Sequence, residues 1–210
     1  MSQIKIGVLI SGSGTNLQSI IDSINLHEIN GKIEVVISNK ETAYGLERAR
    51  QHGIDAVFVR SKEFANPEQY DEAIIQELKS RDVELVILAG YLKILTPKFI
   101  EEYNNKIINI HPSLIPSFCG KGYYGIKVHE AAINYGVKIS GATVHFVDEN
   151  ADTGPIILQE SVNVEYSDSA ETLQKKILKI EHKILPQAVK YYCNGKIEII
   201  DRKVKITMEE

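Results

Sequence analysis

Cysteine is scarce in this 210-residue chain: Cys119 and Cys193 are the whole complement, and they form no C-x-x-C pair. That argues against a disulfide scaffold and a structural zinc site, and it fits a reducing, cytoplasmic setting. Basic charge is not in excess: 24 Lys and Arg against 28 Asp and Glu leave a formal net charge of −4. A phosphate backbone needs a concentrated basic face, so nucleic acid is not expected as the main partner, while small anions stay open. No apolar run approaches the about 18 residues of a membrane span. The stretch Ile4 to Ile10 is broken by Lys5 and runs straight into glycines, unlike a secretory leader. Repeats and low-complexity tracts are missing too.

The chain is 43% hydrophobic and 25% charged, enough for one domain with a full core. Short β-branched runs alternate with longer segments of helical period, the pattern of βα units. The fold expected is α/β and Rossmann-like: a doubly wound, mainly parallel seven-stranded sheet flanked by helices. Strands are expected at Lys5–Ile10, Ile33–Ser38, Ala56–Val59, Leu85–Ala89, Ile107–Ile110, Gly141–Val147 and Pro155–Val162. Helices are expected at Asn16–Ser23, Tyr44–His52, Pro67–Ser80, Pro97–Tyr103, Ile126–Asn134 and Ser169–Asn194, the last opened by the capping-box pattern Asp168-Ser-Ala-Glu171. Residues 1–195 read as a single domain and 196–210 as a structural hairpin or edge extension.

In such sheets ligands bind beyond the carboxyl ends of the strands. After the first strand comes "SGSGTNL", Ser11 to Leu17. The amides of Gly14, Thr15 and Asn16 at a helix N-terminus would suit a phosphate, although a plain strand-to-helix turn reads equally well. Leu17 stands where a dinucleotide fingerprint needs its third glycine, and Ser38-Asn39 replaces the acidic residue that would hold a ribose diol. There is no G-x-x-x-x-G-K-[ST] either.

The run "KIINIHPSLIPSF" (106–118) poses a sharper question, because an apolar strand ends in Asn109 and His111 before Pro112. Residues two apart share a face, so the amide and the imidazole point the same way. Together they would be donors to an oxygen that becomes negative during acyl transfer, or they simply terminate the sheet. Ser113 lacks a G-x-S-x-G elbow, and Cys119 has no base nearby in sequence. In "HFVDENADTGPI" (145–156), Asp152 precedes a sharp turn and could orient the imidazole and raise its pKa, or form an Asx turn. Leu173, Ile177, Ile180 and Ile184 mark the buried stripe of the last helix, with Glu181 at or beside it. A carboxylate there needs a partner, either a lysine or ligand hydroxyls.

Taken together, "LISGSGTNLQSII" (9–21), "ISNK" with "GLERAR" (37–50), "LAGYLKIL" (88–95), "NIHPSLIPSF" (109–118), "GATVHFVDENADTGPIILQ" (141–159) and "EHKILP" (181–186) give a resemblance. Over nearly its whole length the chain resembles the folate-dependent glycinamide ribonucleotide formyltransferases. The resemblance implies formyl transfer from 10-formyltetrahydrofolate to the amine of glycinamide ribonucleotide, without a metal, in a monomer or weak homodimer. It implies a catalytic trio of Asn109, His111 and Asp152. It also implies a substrate-phosphate loop at Gly14, Thr15 and Asn16, with Glu181 as acceptor for ribose hydroxyls. Leu92, Lys93, Ile94 and Leu95, with Asn109 and the loop from Asp148 to Asp152, match the folate-binding segments. Two positions depart from the family pattern. Pro67 stands where many members place an arginine near the folate's glutamate tail, and the segment 119–129 is longer and richer in glycine, with Lys121 a candidate anion contact. A formyltransferase with another acceptor, or a deformylase, is the alternative; related tRNA formyltransferases and deformylases carry extra domains for which this chain has no room.

Overall fold

The structure is a computed structural model describing residues 2–207. It divides into two compact units, one ending at Ile108 and one beginning at Asn109.

In the first unit the apolar run Ile4–Ile10 forms β1, buried from Ile6 onward, as a parallel strand covered on both faces must be. It is followed by α1 (Thr15–Asn25), β2 (Gly31–Ser38), α2 (Tyr44–Gln51), β3 (Asp55–Phe58), α3 (Pro67–Lys79), β4 (Leu85–Leu88) and α4 (Pro97–Glu102). The strands pair in the order β3-β2-β1-β4, and every pair is parallel. This puts the carboxyl ends of β1 and β4, with the segments that follow them, at one edge of this sheet. Leu9, Ile10, Leu17, Ile37 and Ile74 fill the core with no exposed surface. Pro67 opens α3 behind Asn66, whose side chain accepts the Gln69 N–H at 2.9 Å. Proline suits that first helical position because its missing N–H would be unpaired there anyway.

β5 (Ile107–His111) crosses the unit boundary. The second unit continues with α5 (Ile126–Tyr135), β6 (Ile139–Phe146), β7 (Ile156–Asn163), α6 (Ala170–Cys193), β8 (Ile197–Ile200) and β9 (Lys203–Ile206). β6 and β7 run antiparallel. β8 and β9 form a hairpin, and β9 joins β7 in parallel where Ile156 pairs with Lys203. Among the described residues the expected seven strands become nine, because the C-terminal hairpin supplies two more, β9 pairing with β7.

Two local expectations need correction. The cap of α6 is reciprocal between Ser169 and Thr172, not Asp168 and Glu171: the Ser169 hydroxyl accepts the Thr172 N–H at 3.3 Å and the Thr172 hydroxyl accepts the Ser169 N–H at 2.8 Å. Asp168 instead accepts the Lys176 ammonium at 2.6 Å. On the same helix Leu173, Ile177, Glu181 and Ile184 are buried, but Ile180 lies half-buried at the margin of the stripe. Among the described residues no helix is long and apolar enough to cross a membrane.

Candidate active site

In the first unit the glycine loop and the segment after β4 hold the residues singled out from sequence. Gly14 is the N-cap of α1 with φ 71°, a conformation that disfavours a side chain, and a Cβ there would lie 2.6 Å from the Gly45 Cα. No side chain caps the turn. The first amides of a helix have no partner within it, so this turn offers donors and partial positive charge to an anion. Arg48, which lies in the run GLERAR but was assigned no role there, donates from Nε to the Ser13 carbonyl at 2.9 Å and brings a cation to the same loop.

The segment Leu92–Leu95 is fixed at both ends by buried polar groups. The Ser11 hydroxyl accepts the Leu92 N–H at 2.9 Å while donating to Asn39 at 2.7 Å. The buried Asp71 carboxylate accepts the Thr96 N–H at 2.6 Å. Burial pushes the Asp71 carboxyl up, against the opposing pull of Thr96 and Lys93. Between these anchors Leu92 and Ile94 are exposed, Leu95 is buried, and the Lys93 ammonium sits 4.9 Å over the Tyr70 ring. Exposed apolar side chains on a pinned backbone suit a flat heterocycle.

In the second unit Asn109, His111 and Asp152 do come together. His111 Nδ1 is 3.4 Å from Asp152 Oδ2, and Asn109 Nδ2 is 3.5 Å from Asp152 Oδ1. Asp152 holds its position in a left-handed backbone conformation, φ 59°, and its Oδ2 also accepts the Gly120 N–H at 2.8 Å. The other nitrogen of His111, Nε2, faces the Phe118 carbonyl at 2.9 Å. Both ring nitrogens thus meet acceptors, an arrangement that only the imidazolium satisfies fully.

His145 is the member that sequence reasoning missed. It is buried on β6, with Nε2 3.1 Å from Asn109 Nδ2 and 3.7 Å from Asp152 Oδ1, and Nδ1 2.8 Å from the Phe146 carbonyl. The available signal was a histidine inside the otherwise uncharged strand "GATVHF".

Burial pulls the His111 imidazole below its ordinary pKa, against Asp152 and the Phe118 carbonyl. The expectation that Asp152 would raise it holds for that one contribution, but desolvation is the larger cause. A negative charge forming beside the ring would work in the same direction as Asp152. Burial pushes the Asp152 carboxyl up, yet His145, His111 and the Gly120 N–H together hold it below the ordinary range. Asp152 is accordingly a stable anion, suited to orienting an imidazole.

The neighbouring hydroxyl and thiol have structural duties. The Ser113 hydroxyl is buried and donates to the Ser117 carbonyl, and Thr143 ties the same segment by accepting the Ile115 N–H at 3.1 Å and donating to the Ser113 carbonyl at 2.6 Å. Burial pushes the Cys119 thiol up, away from thiolate chemistry. Asp148 braces its own loop, accepting from the Asn150 N–H at 3.3 Å and the Thr153 hydroxyl. Glu181 is buried on α6, and Lys121 is exposed in the loop before α5. Among the described residues no group of three or more His, Cys, Asp or Glu side chains could hold a metal ion.

Known proteins resemble this chain over most of its length. The sequence profile described as formyl transferase matches residues 4–189. Phosphoribosylglycinamide formyltransferase of Haemophilus influenzae is 46% identical over 198 residues, covering 94% of this chain and 91% of that protein. The human trifunctional purine biosynthetic protein adenosine-3 is 40% identical over 195 residues, 93% of this chain and 19% of that protein. Among solved structures, glycinamide ribonucleotide transformylase 1 from Symbiobacterium toebii superposes with a TM-score of 0.93 at 43% identity, over 97% of this chain and 94% of that one.

Proposed function

The chain belongs to the formyl transferase family, and from that premise we propose that it moves the formyl group of 10-formyltetrahydrofolate onto the primary amine of glycinamide ribonucleotide, a step of purine biosynthesis. The observation that carries the proposal is the grouping of Asn109, His111 and Asp152 at the end of β5, with His145 behind it.

The amine nitrogen attacks the formyl carbon, whose oxygen takes up negative charge. Asn109 and protonated His111 stabilise that oxyanion, and Asp152 holds His111 in place. As the tetrahedral species collapses, the bond from carbon to N10 breaks, the nitrogen that attacked loses a proton, and N10 gains one. The products are the N-formyl ribonucleotide and tetrahydrofolate. Loss of one oxyanion donor typically lowers kcat by roughly 10²–10³, and a change of that size is expected for Asn109 or His111.

The amides of Gly14, Thr15 and Asn16 take the substrate phosphate, with Arg48 adding charge to the loop. Glu181 accepts from the ribose hydroxyls. Leu92 to Leu95, Asn109 and the loop from Asp148 to Asp152 receive the folate, Asp148 by shaping the loop backbone. Pro67 serves the start of α3, so any recognition of the folate tail falls to other groups. We further infer a cytoplasmic enzyme whose catalytic domain is residues 1–195, a monomer or weak homodimer that needs no metal and engages neither nucleic acid nor membrane.

Formyl transfer from 10-formyltetrahydrofolate, assayed with and without glycinamide ribonucleotide beside His111→Ala and Asp152→Asn, tests the proposal. Turnover that requires the ribonucleotide and collapses in both variants is the expected result. Release of formate without the ribonucleotide would identify a deformylase instead.

A further inference from the structure

The C-terminal hairpin reaches the loop that carries Asp152. Asp201 and Arg202 form the two-residue turn between β8 and β9, and Arg202 Nη2 donates to the Thr153 carbonyl at 2.6 Å. The next residue, Lys203, pairs with Ile156 at the start of β7, so the turn is seated against the exit of the 147–155 loop.

That loop is held by groups outside it, among them the Gly120 N–H on the Asp152 carboxylate at 2.8 Å. Asp152 has φ 59°, and a residue other than glycine keeps a left-handed conformation only where its surroundings over-determine it. On one side of Asp152 the surroundings are internal to the loop, the Thr153 hydroxyl donating back to Asp148. Downstream, Gly154 is packed so tightly that an added Cβ would lie 1.8 Å from the Phe146 carbonyl oxygen. Thr153 is thus gripped by its side chain and by its carbonyl, and the second grip is Arg202. One residue upstream, the Asp152 carboxylate must stay 3.4 Å from His111 Nδ1.

We propose that Arg202 is a positioning residue for formyl transfer: by holding the Thr153 carbonyl it fixes the loop so that the Asp152 carboxylate remains on His111. The role rests on the function proposed above and adds to it a contribution from the tail of the chain. Arg202 itself touches neither the trio nor, on this account, either substrate.

The test compares Arg202→Ala, Arg202→Lys and Lys205→Ala. The last removes the 3.4 Å Lys205–Glu198 pair of the same hairpin and leaves Thr153 alone. Steady-state kinetics would be read beside the His111 ring titration followed by NMR. The charged or titratable groups facing that ring are Asp152 from the loop, His145 from β6 and His129 from α5.

Since a misplacement of about 1 Å can cost up to about 10²-fold in rate, Arg202→Ala is expected to lower kcat by about tenfold. Its KM for glycinamide ribonucleotide should stay within about twofold of wild type, and His111 should titrate at lower pH than in wild type. Arg202→Lys should recover most of both effects, and Lys205→Ala should match wild type. An Arg202→Ala enzyme with unchanged kcat and unchanged His111 titration overturns the proposal, as does Lys205→Ala reproducing its losses. If wild type shows no ribonucleotide-dependent turnover, the function falls, and the NMR titration alone decides whether Arg202 governs the Asp152–His111 contact.

Discussion

His145 Nε2 stands 3.1 Å from Asn109 Nδ2, and its Nδ1 stands 2.8 Å from the Phe146 carbonyl. A carbonyl can only accept, so Nδ1 carries the proton and Nε2 is left to accept from the amide. That orients Asn109: its nitrogen turns toward both His145 Nε2 and Asp152 Oδ1, with one N–H directed at each.

Replacing His145 with phenylalanine removes the acceptor that orients Asn109. Without it the amide samples other rotamers, and kcat should fall by roughly 10- to 100-fold, less than loss of an oxyanion donor outright.

Asp152→Asn removes the negative charge that works against burial at His111. The His111 pKa, already below its ordinary value, should drop further. Activity that depends on the imidazolium is lost as pH rises through that pKa, so the basic limb of the pH–kcat/KM profile should move to lower pH in the variant. A limb that stays put would show that His111 does not supply the limiting proton.

His129 is buried on α5, and burial together with the nearby His111 pulls its pKa down to about 4. The unfolded chain binds a proton near pH 6.5 and the folded chain does not, so stability is full above pH 6.5 and declines as the pH falls toward 4. The decline from this one group is about 3 kcal/mol. Urea midpoints measured across that window should show it, and His129→Phe should flatten that part of the curve.

Gly14→Ala puts a methyl group into the Gly45 backbone at a left-handed residue. A stability loss of about 1–2 kcal/mol from the conformation alone is expected, with more from the clash. The KM for glycinamide ribonucleotide should rise while that for the folate changes little. Thermal melts and two-substrate kinetics would separate the effects.

Element types were legible because the strands and helices have clean periods: the expected start of α3 at Pro67 coincides with the observed one, and β5 extends the expected strand by one residue to His111. Asn109 and His111 were legible as polar interruptions of an apolar run. His145 was not, since a histidine facing inward from a strand gives no periodic signal and its partners lie 36 residues before it and in the next loop. Arg202 was hidden for a similar reason, as its contact spans 49 residues and ends on a backbone carbonyl, which carries no sequence identity. The upward pull of Asp152 on His111 was legible, but the larger downward pull of burial was not, because burial cannot be weighed against a neighbouring charge before the fold is known.

The Phe118 carbonyl, 2.9 Å from His111 Nε2, is chemically close to a formyl oxygen. His111 Nε2 is thus already paired with an acceptor that belongs to the chain itself. On the function proposed above, a formyl oxygen pairs with Nε2 only where the Phe118 carbonyl gives it up, and the same short stretch carries the Gly120 N–H that Asp152 accepts.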